Sequence, residues 1–172
     1  MIEKRHTVEK EWSHNSNICV VIMNHSTGCR CGYVGIKPNH PLYGKKYDEP
    51  LPKTLIQFWE KAKDGDIGKR GILDLFCLDP ENPDTGILFD VHGGITYSGE
   101  SGSYPIEITN IWWFGYDCAH AEDGHEIDQI FPESSRVYQR NFPGDIVRSL
   151  EYCISECESL SNQLESIIRK ED

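Results

Sequence analysis

Three stretches concentrate side chains that can do chemistry. The first, Cys31-Gly-Tyr33-Val-Gly-Ile-Lys-Pro-Asn-His40-Pro-Leu-Tyr43-Gly44, sets two tyrosines, a histidine and a lysine among stiff prolines and permissive glycines. The second is Asp90-Val-His92-Gly93-Gly94-Ile-Thr96-Tyr97-Ser98. Paired glycines at a strand end let a ligand approach the backbone, and successive N–H groups there can cradle an anion. The third, Trp112-Trp113-Phe-Gly-Tyr-Asp117-Cys118-Ala-His120-Ala-Glu122-Asp123-Gly-His125, joins an aromatic run to acids and histidines. If it is a strand, Trp112, Phe114 and Tyr116 share one face and Trp113 the other. One face must be core; the other could present rings to a base. Asp117, His120, Asp123 and His125 could bond base edges or ribose hydroxyls. Each stretch also has a plainer structural explanation: a proline-stiffened hairpin, a Gly-Gly turn, and a strand whose rings are all core.

Other chemistries fit less well. His-Gly-Gly is similar to an esterase oxyanion hole, but there is no Gly-x-Ser-x-Gly elbow; Gly99-Glu-Ser-Gly-Ser103 has the wrong spacing. Cys29, Cys31, Cys118 and His120 lack the usual gaps of a structural zinc site. Cys118 beside Asp117 and His120 is a poor nucleophile arrangement, since residues i and i+2 seldom align for activation. A histidine–carboxylate hydrolase site built from His92, Asp117, His120 and Asp123, metal-assisted or not, is the stronger catalytic alternative. No cofactor or resident metal is expected.

These residues need a scaffold, and the composition bounds it. The chain has 172 residues with 17 basic and 28 acidic, a net charge of −11. A net anion repels polyanions at long range, so DNA or RNA polymers are poor partners, while one small anion held locally is not excluded. Seven cysteines with no apolar leader read as reduced thiols in a cytosolic protein. The longest apolar run, Ile18 to Met23, is too short to span a membrane.

The expected fold is a single α+β domain over residues 1–172: an antiparallel sheet, a short middle helix and a long C-terminal helix. Residues 1–17 read as a frayed or edge segment. Ile18–Met23 and Cys31–Ile36 read as a hairpin, and Ile87–Val91 as a further strand. Ile95–Ser98 is expected to pair with a strand over Ile106–Tyr116. Lys53–Lys63 carries Leu55, Phe58, Trp59 and Ala62 at helical spacing, within an insertion-like stretch at 45–86. Asp145–Arg169 repeats apolar residues every three or four, with Pro143 just ahead, and predicts a helix over 144–169. Its seam packs on its own sheet or forms a homodimer.

Taken together, Cys31-Gly-Tyr-Val34, His40-Pro-Leu-Tyr-Gly44, Asp90-Val-His-Gly-Gly-Ile-Thr-Tyr-Ser98 and Trp113-Phe-Gly-Tyr-Asp-Cys-Ala-His-Ala121 resemble a widespread family of small bacteriophage proteins. Tyr138 and the Glu-Cys-Glu-Ser-Leu segment of the C-terminal helix are similar too. The family pattern has Gly-Asp after Cys-Ala-His-Ala, whereas this chain has Glu122-Asp123. The change keeps the acid and raises a question about the backbone at 122. The resemblance implies a counter-defence protein, acting in the host cytoplasm, that sequesters a cyclic di- or oligonucleotide signal of CBASS type without cleaving it. Tyr33, His40, Tyr43, Tyr97 and Trp113 are then expected to stack on bases or meet their edges. His92, Gly93, Gly94, Thr96 and His120 would hold phosphate and ribose, with Asp117 and Asp123 orienting them. The alternatives are the His/Asp phosphoester hydrolase and an inhibitor of a host protein using the acidic helix face.

Overall fold

The computed structural model describes residues 5–57, 82–126 and 141–168. Five strands form one antiparallel sheet: β1 (His6–His14), β2 (Asn17–Asn24), β3 (Cys29–Ile36), β4 (Tyr97–Glu100) and β5 (Trp112–Asp117), in the order β1-β2-β3-β5-β4. Two short strands, β6 (Asp123–Gly124) and β7 (Ile146–Val147), pair in parallel beside it. One long helix, α1 (Leu150–Ile168), lies across β2 and β3. The fold is α+β, as expected.

β2 is a continuous β-branched run because both of its faces are covered. Cys19 and Val21 point to the core beneath α1, while Val20 and Ile22 point to a second core on the opposite face. The β2–β3 turn closes through Asn24, whose side chain accepts the Ser26 N–H at 2.9 Å. At the centre of the β3–β5 pair, two glycines make room for rings. A Cβ on Gly32 would lie 2.4 Å from the Tyr116 ring, and one on Gly115 would lie 2.5 Å from the Tyr33 ring.

Residues 6–14 form an edge strand paired with β2, the edge alternative of the sequence reading. Several other expected elements differ in the structure. Ile87–Val91 is not a strand: a 3-10 turn, Thr85–Leu88, runs into an extended segment without a ladder. Its alternation is real, with Ile87, Phe89 and Val91 buried under α1. The Asp90 backbone bonds the Gln163 side chain at 2.9 Å on both its N–H and its C=O, so a helix side chain stands where a strand would. The partner of β4 is residues 112–115 only. Before it, Tyr104, Ile106, Ile108 and Ile111 fold over the second face of the sheet.

The middle helix shows only its start, a 3-10 turn at Lys53–Leu55; Phe58, Trp59 and Ala62 lie outside the described residues. The stretch around them leaves and returns at one place, with Leu51 N–H bonding Pro83 O and Thr85 N–H bonding Glu49 O. α1 begins at Leu150 rather than near Pro143. Gly144 has φ +103°, which a helix cannot use, and Ser149 caps the helix by accepting the Tyr152 N–H at 3.1 Å. The α1 seam, Cys153, Cys157, Leu160, Leu164 and Ile167, is buried on the sheet, so a homodimer would have to use another surface. Cys19, Cys29, Cys31, Cys118, Cys153 and Cys157 are buried free thiols. No helix among the described residues is long and apolar enough to cross a membrane.

Candidate functional site

The site lies where the C-terminal end of β5, the Gly-Gly turn and the first turns of α1 meet. Past Asp117 the chain makes a tight turn, with Asp123 N–H bonding His120 O at 3.1 Å. That turn requires a left-handed residue, and Glu122 supplies it at φ +72°. An L side chain is strained in this conformation and glycine is not.

Asp123 is the hub. Its side chain is fully buried, its Oδ1 accepts Arg148 Nε–H at 2.7 Å, and its Oδ2 accepts from His92 Nε2 at 2.7 Å and the His120 N–H at 3.1 Å. Burial opposes its charge, but these bonds from Arg148, His92 and the His120 backbone outweigh it and hold the carboxyl below its ordinary value. A carboxylate only accepts, so His92 carries its proton on Nε2. In the neutral ring Nδ1 then accepts the Tyr152 hydroxyl, 2.9 Å away. Tyr152 itself is pushed up to about 12, chiefly by burial and then by Glu156. Glu156 accepts the His92 backbone N–H at 2.8 Å.

His120 completes the cluster. Its ring is 5.6 Å from the His92 ring, and a Cβ on Gly93 would lie 2.0 Å from its Cε1. Gly93 therefore serves twice, at φ +66° and as the floor beneath the imidazole. His120 Nδ1 is buried without a hydrogen-bond partner, 3.7 Å from Asp123 Oδ2 and 3.9 Å from Asp117 Oδ1. Asp117 in turn accepts Thr96 Oγ1–H at 2.7 Å. Donor atoms of His92, His120 and Asp123 all fall within 4.8 Å of one another.

Comparison with protein-family models, curated proteins and solved structures finds no match. The site is therefore read from its own geometry.

Of the residues the sequence singles out, His92, Gly93, Gly94, Thr96, Asp117, His120 and Asp123 come together. The expected stacking residues do not join them. Trp113 is fully buried in the second core, because residues 104–111 cover that face, and has no surface for a base. Tyr33 is buried there too, bonding Tyr104 through its hydroxyl. His40 is buried as a structural clamp, its Nδ1 accepting the Leu42 N–H and its Nε2 facing Leu164 O at 3.1 Å. Tyr97 is half-buried against Tyr33 and Tyr104. Tyr43 leans on Trp112, at the far end of β5, about 17 Å along the strand from Asp117. The Gly-Gly turn is also less open than expected: His92 N–H goes to Glu156, and Gly94 N–H to Val91 O at 2.9 Å.

Sequence reasoning missed Arg148, Tyr152 and Glu156. Tyr152 and Glu156, four apart, share a face of the first turns of α1, and Arg148 lies just ahead of the helix; a polar pair entering an apolar seam was the available signal. Glu156, one of the acidic residues of the C-terminal helix, is buried, which removes it from any acidic surface offered to a host protein. A groove of about 510 Å³ lined by Ser155, Glu158, Ser159, Asn162, Gln163 and Ser166 runs along α1 and includes none of the cluster. The other Cys–His pair, Cys29 Sγ and His125 Nδ1 at 2.9 Å, is a poor nucleophile, since burial pushes the Cys29 thiol up to about 11.

Proposed function

We propose that the protein binds the phosphoester of a cyclic di- or oligonucleotide at the His92–His120–Asp123 cluster and sequesters it without cleavage, as a phage counter-defence protein. The observation that carries this reading is the convergence of the polar half of the expected ligand set at one end of β5, flanked by the half-exposed His120 and by Arg148. His92 favours holding over turnover: both its ring nitrogens are engaged, by Asp123 and Tyr152, so acting as an acid or base would require giving up a bond. The family resemblance supplies the ligand class and the setting. Recognition now rests on phosphate and ribose, because Trp113, Tyr33 and His40 are core residues.

A phosphoester hydrolase is the second reading. His120 favours it, with an Nδ1 that no protein group engages, placed between two carboxylates and so free to take or give a proton. One experiment separates the two. Purified protein is incubated with a panel of cyclic di- and trinucleotides and filtered, and the retained fraction is then heat-denatured. Ligand retained and returned intact supports sequestration, with His120→Ala weakening capture at least tenfold. New products would replace it with the hydrolase, and ligand passing through untouched would end both.

A further inference from the structure

We infer that His92, His120 and Asp123 form a binding site for one divalent transition-metal ion of the zinc type. One donor atom from each of the three residues lies within 4.8 Å of the others, and Asp123 Oδ2 is 2.7 Å from His92 Nε2 and 3.7 Å from His120 Nδ1. Ligand bonds of about 2.0–2.1 Å in a tetrahedron place donor atoms about 3.3 Å apart, midway between those two separations. Rotation of the half-exposed His120 ring closes the difference. His120 Nδ1 is the second, independent sign: it is buried inside the cluster, aimed at two carboxylates, and bonds nothing. In the tautomer protonated on Nε2, this nitrogen carries a lone pair that meets no protein donor, and a cation would satisfy it.

The groups behind these ligands are those a metal site requires. Tyr152 bonds the other nitrogen of His92, and Arg148 bonds the other oxygen of Asp123. Such partners fix the tautomer of a metal-bound histidine and the orientation of a carboxylate. On binding, the His92 proton shifts from Nε2 to Nδ1 and the Tyr152 hydroxyl turns from donor to acceptor, so no proton is lost. The donor set, two imidazoles and one carboxylate, suits zinc or ferrous ion rather than magnesium or calcium. Three protein ligands leave a coordination position for an oxygen of water or of a ligand. The inference stands on these atoms alone and does not depend on nucleotide capture.

The test uses the full chain treated with EDTA, titrated calorimetrically with zinc and, for its visible spectrum, with cobalt(II). The expected result is saturable uptake of one ion per chain. His92→Gln and His120→Asn should each weaken it at least tenfold. Tyr152→Phe should weaken it about tenfold through His92, and Cys29→Ser should leave it unchanged. His120 is half-exposed, so its variant reports on the site even if the His92 variant unfolds. No saturable uptake by the folded chain would overturn the inference. So would equal affinity in both histidine variants, or thiolate absorption in the cobalt complex. No nucleotide is present, so a negative result leaves the capture reading to its own assay.

Discussion

Asp123→Asn tests the hub directly. The substitution keeps the shape of the side chain and removes its charge. Asp123 accepts three hydrogen bonds, from Arg148 on one oxygen and from His92 and His120 on the other. Asparagine has one acceptor oxygen, so whichever way it turns, its NH₂ group faces at least one donor. Bonds to charged groups contribute about 1.5–3 kcal/mol each, and leaving one partner of a buried pair unmatched costs about 3–5 kcal/mol. Arg148 keeps 22% of its side-chain surface in solvent, which lets water take over part of that loss. The expected destabilisation is therefore about 2–3 kcal/mol at pH 7. It also depends on pH in a definite sense. The Asp123 carboxyl is held below its ordinary value of 3.8, so its contribution is full above that pH and is lost as pH falls through the lower folded value. Urea unfolding of both proteins, from pH 7 down to the lowest pH at which both fold, should show the gap narrowing on the acid side. A gap under about 0.5 kcal/mol at pH 7, the range of an ordinary surface change, or one that does not narrow, would refute the hub.

Glu122→Gly should stabilise the protein by about 1 kcal/mol, because Glu122 sits at φ +72° where glycine is unstrained; the check is a higher urea midpoint at unchanged slope. Gly93→Ala combines a left-handed backbone with a Cβ 2.0 Å from the His120 ring. It should displace that ring, costing about 1 kcal/mol or more in stability and at least tenfold in zinc affinity by calorimetry. Trp113→Phe should cost about 1–3 kcal/mol through a core cavity and leave nucleotide capture in the filtration assay unchanged, since Trp113 is fully buried.

What the sequence made legible follows from how local each signal is. The β2–β3 hairpin, the alternation of β5 and the seam of α1 are periodicities of neighbouring residues, and all three stand in the fold. Phe114 and Tyr116 do face away from Trp113. What covers each face is decided by distant chain, however, so no pattern around Trp113 could announce that Tyr104, Ile106 and Ile108 close over it. The same limit explains Ile87–Val91, whose alternation is strand-like but whose backbone partner is Gln163, over 70 residues on. β1 is legible only as a polar edge segment: as an edge strand with an exposed outer side it needs few apolar residues, and of Val8 and Trp12 only Trp12 is partly buried. At the site, His92, His120 and Asp123 stood out by type. Arg148 and Tyr152, which hold them, did not, because they belong to another segment and look like ordinary helix-start residues.

The charge around the cluster sets the final expectation. Asp117, Asp123 and Glu156 surround His92 and His120, and Arg148 is the guanidinium bonded among them. The chain as a whole carries −11. At an effective dielectric constant near 20, two unit charges 4 Å apart interact by about 4 kcal/mol, so an uncompensated carboxylate beside a phosphate weakens capture without abolishing it. A divalent ion on His92, His120 and Asp123 offsets the net negative charge of the three carboxylates and Arg148 and offers an oxygen of the phosphate a ligand position. Capture should therefore rise at least tenfold when EDTA-treated protein is reloaded with zinc. The salt dependence should change as well: in the metal-free protein, added salt screens repulsion and helps binding, and in the loaded protein that gain should shrink. Filtration at low and high ionic strength, with and without zinc, reads both effects. If capture were equally strong without zinc and weakened by salt in both states, the attraction would come from Arg148 and His120 alone, and the metal would have no part in holding the nucleotide.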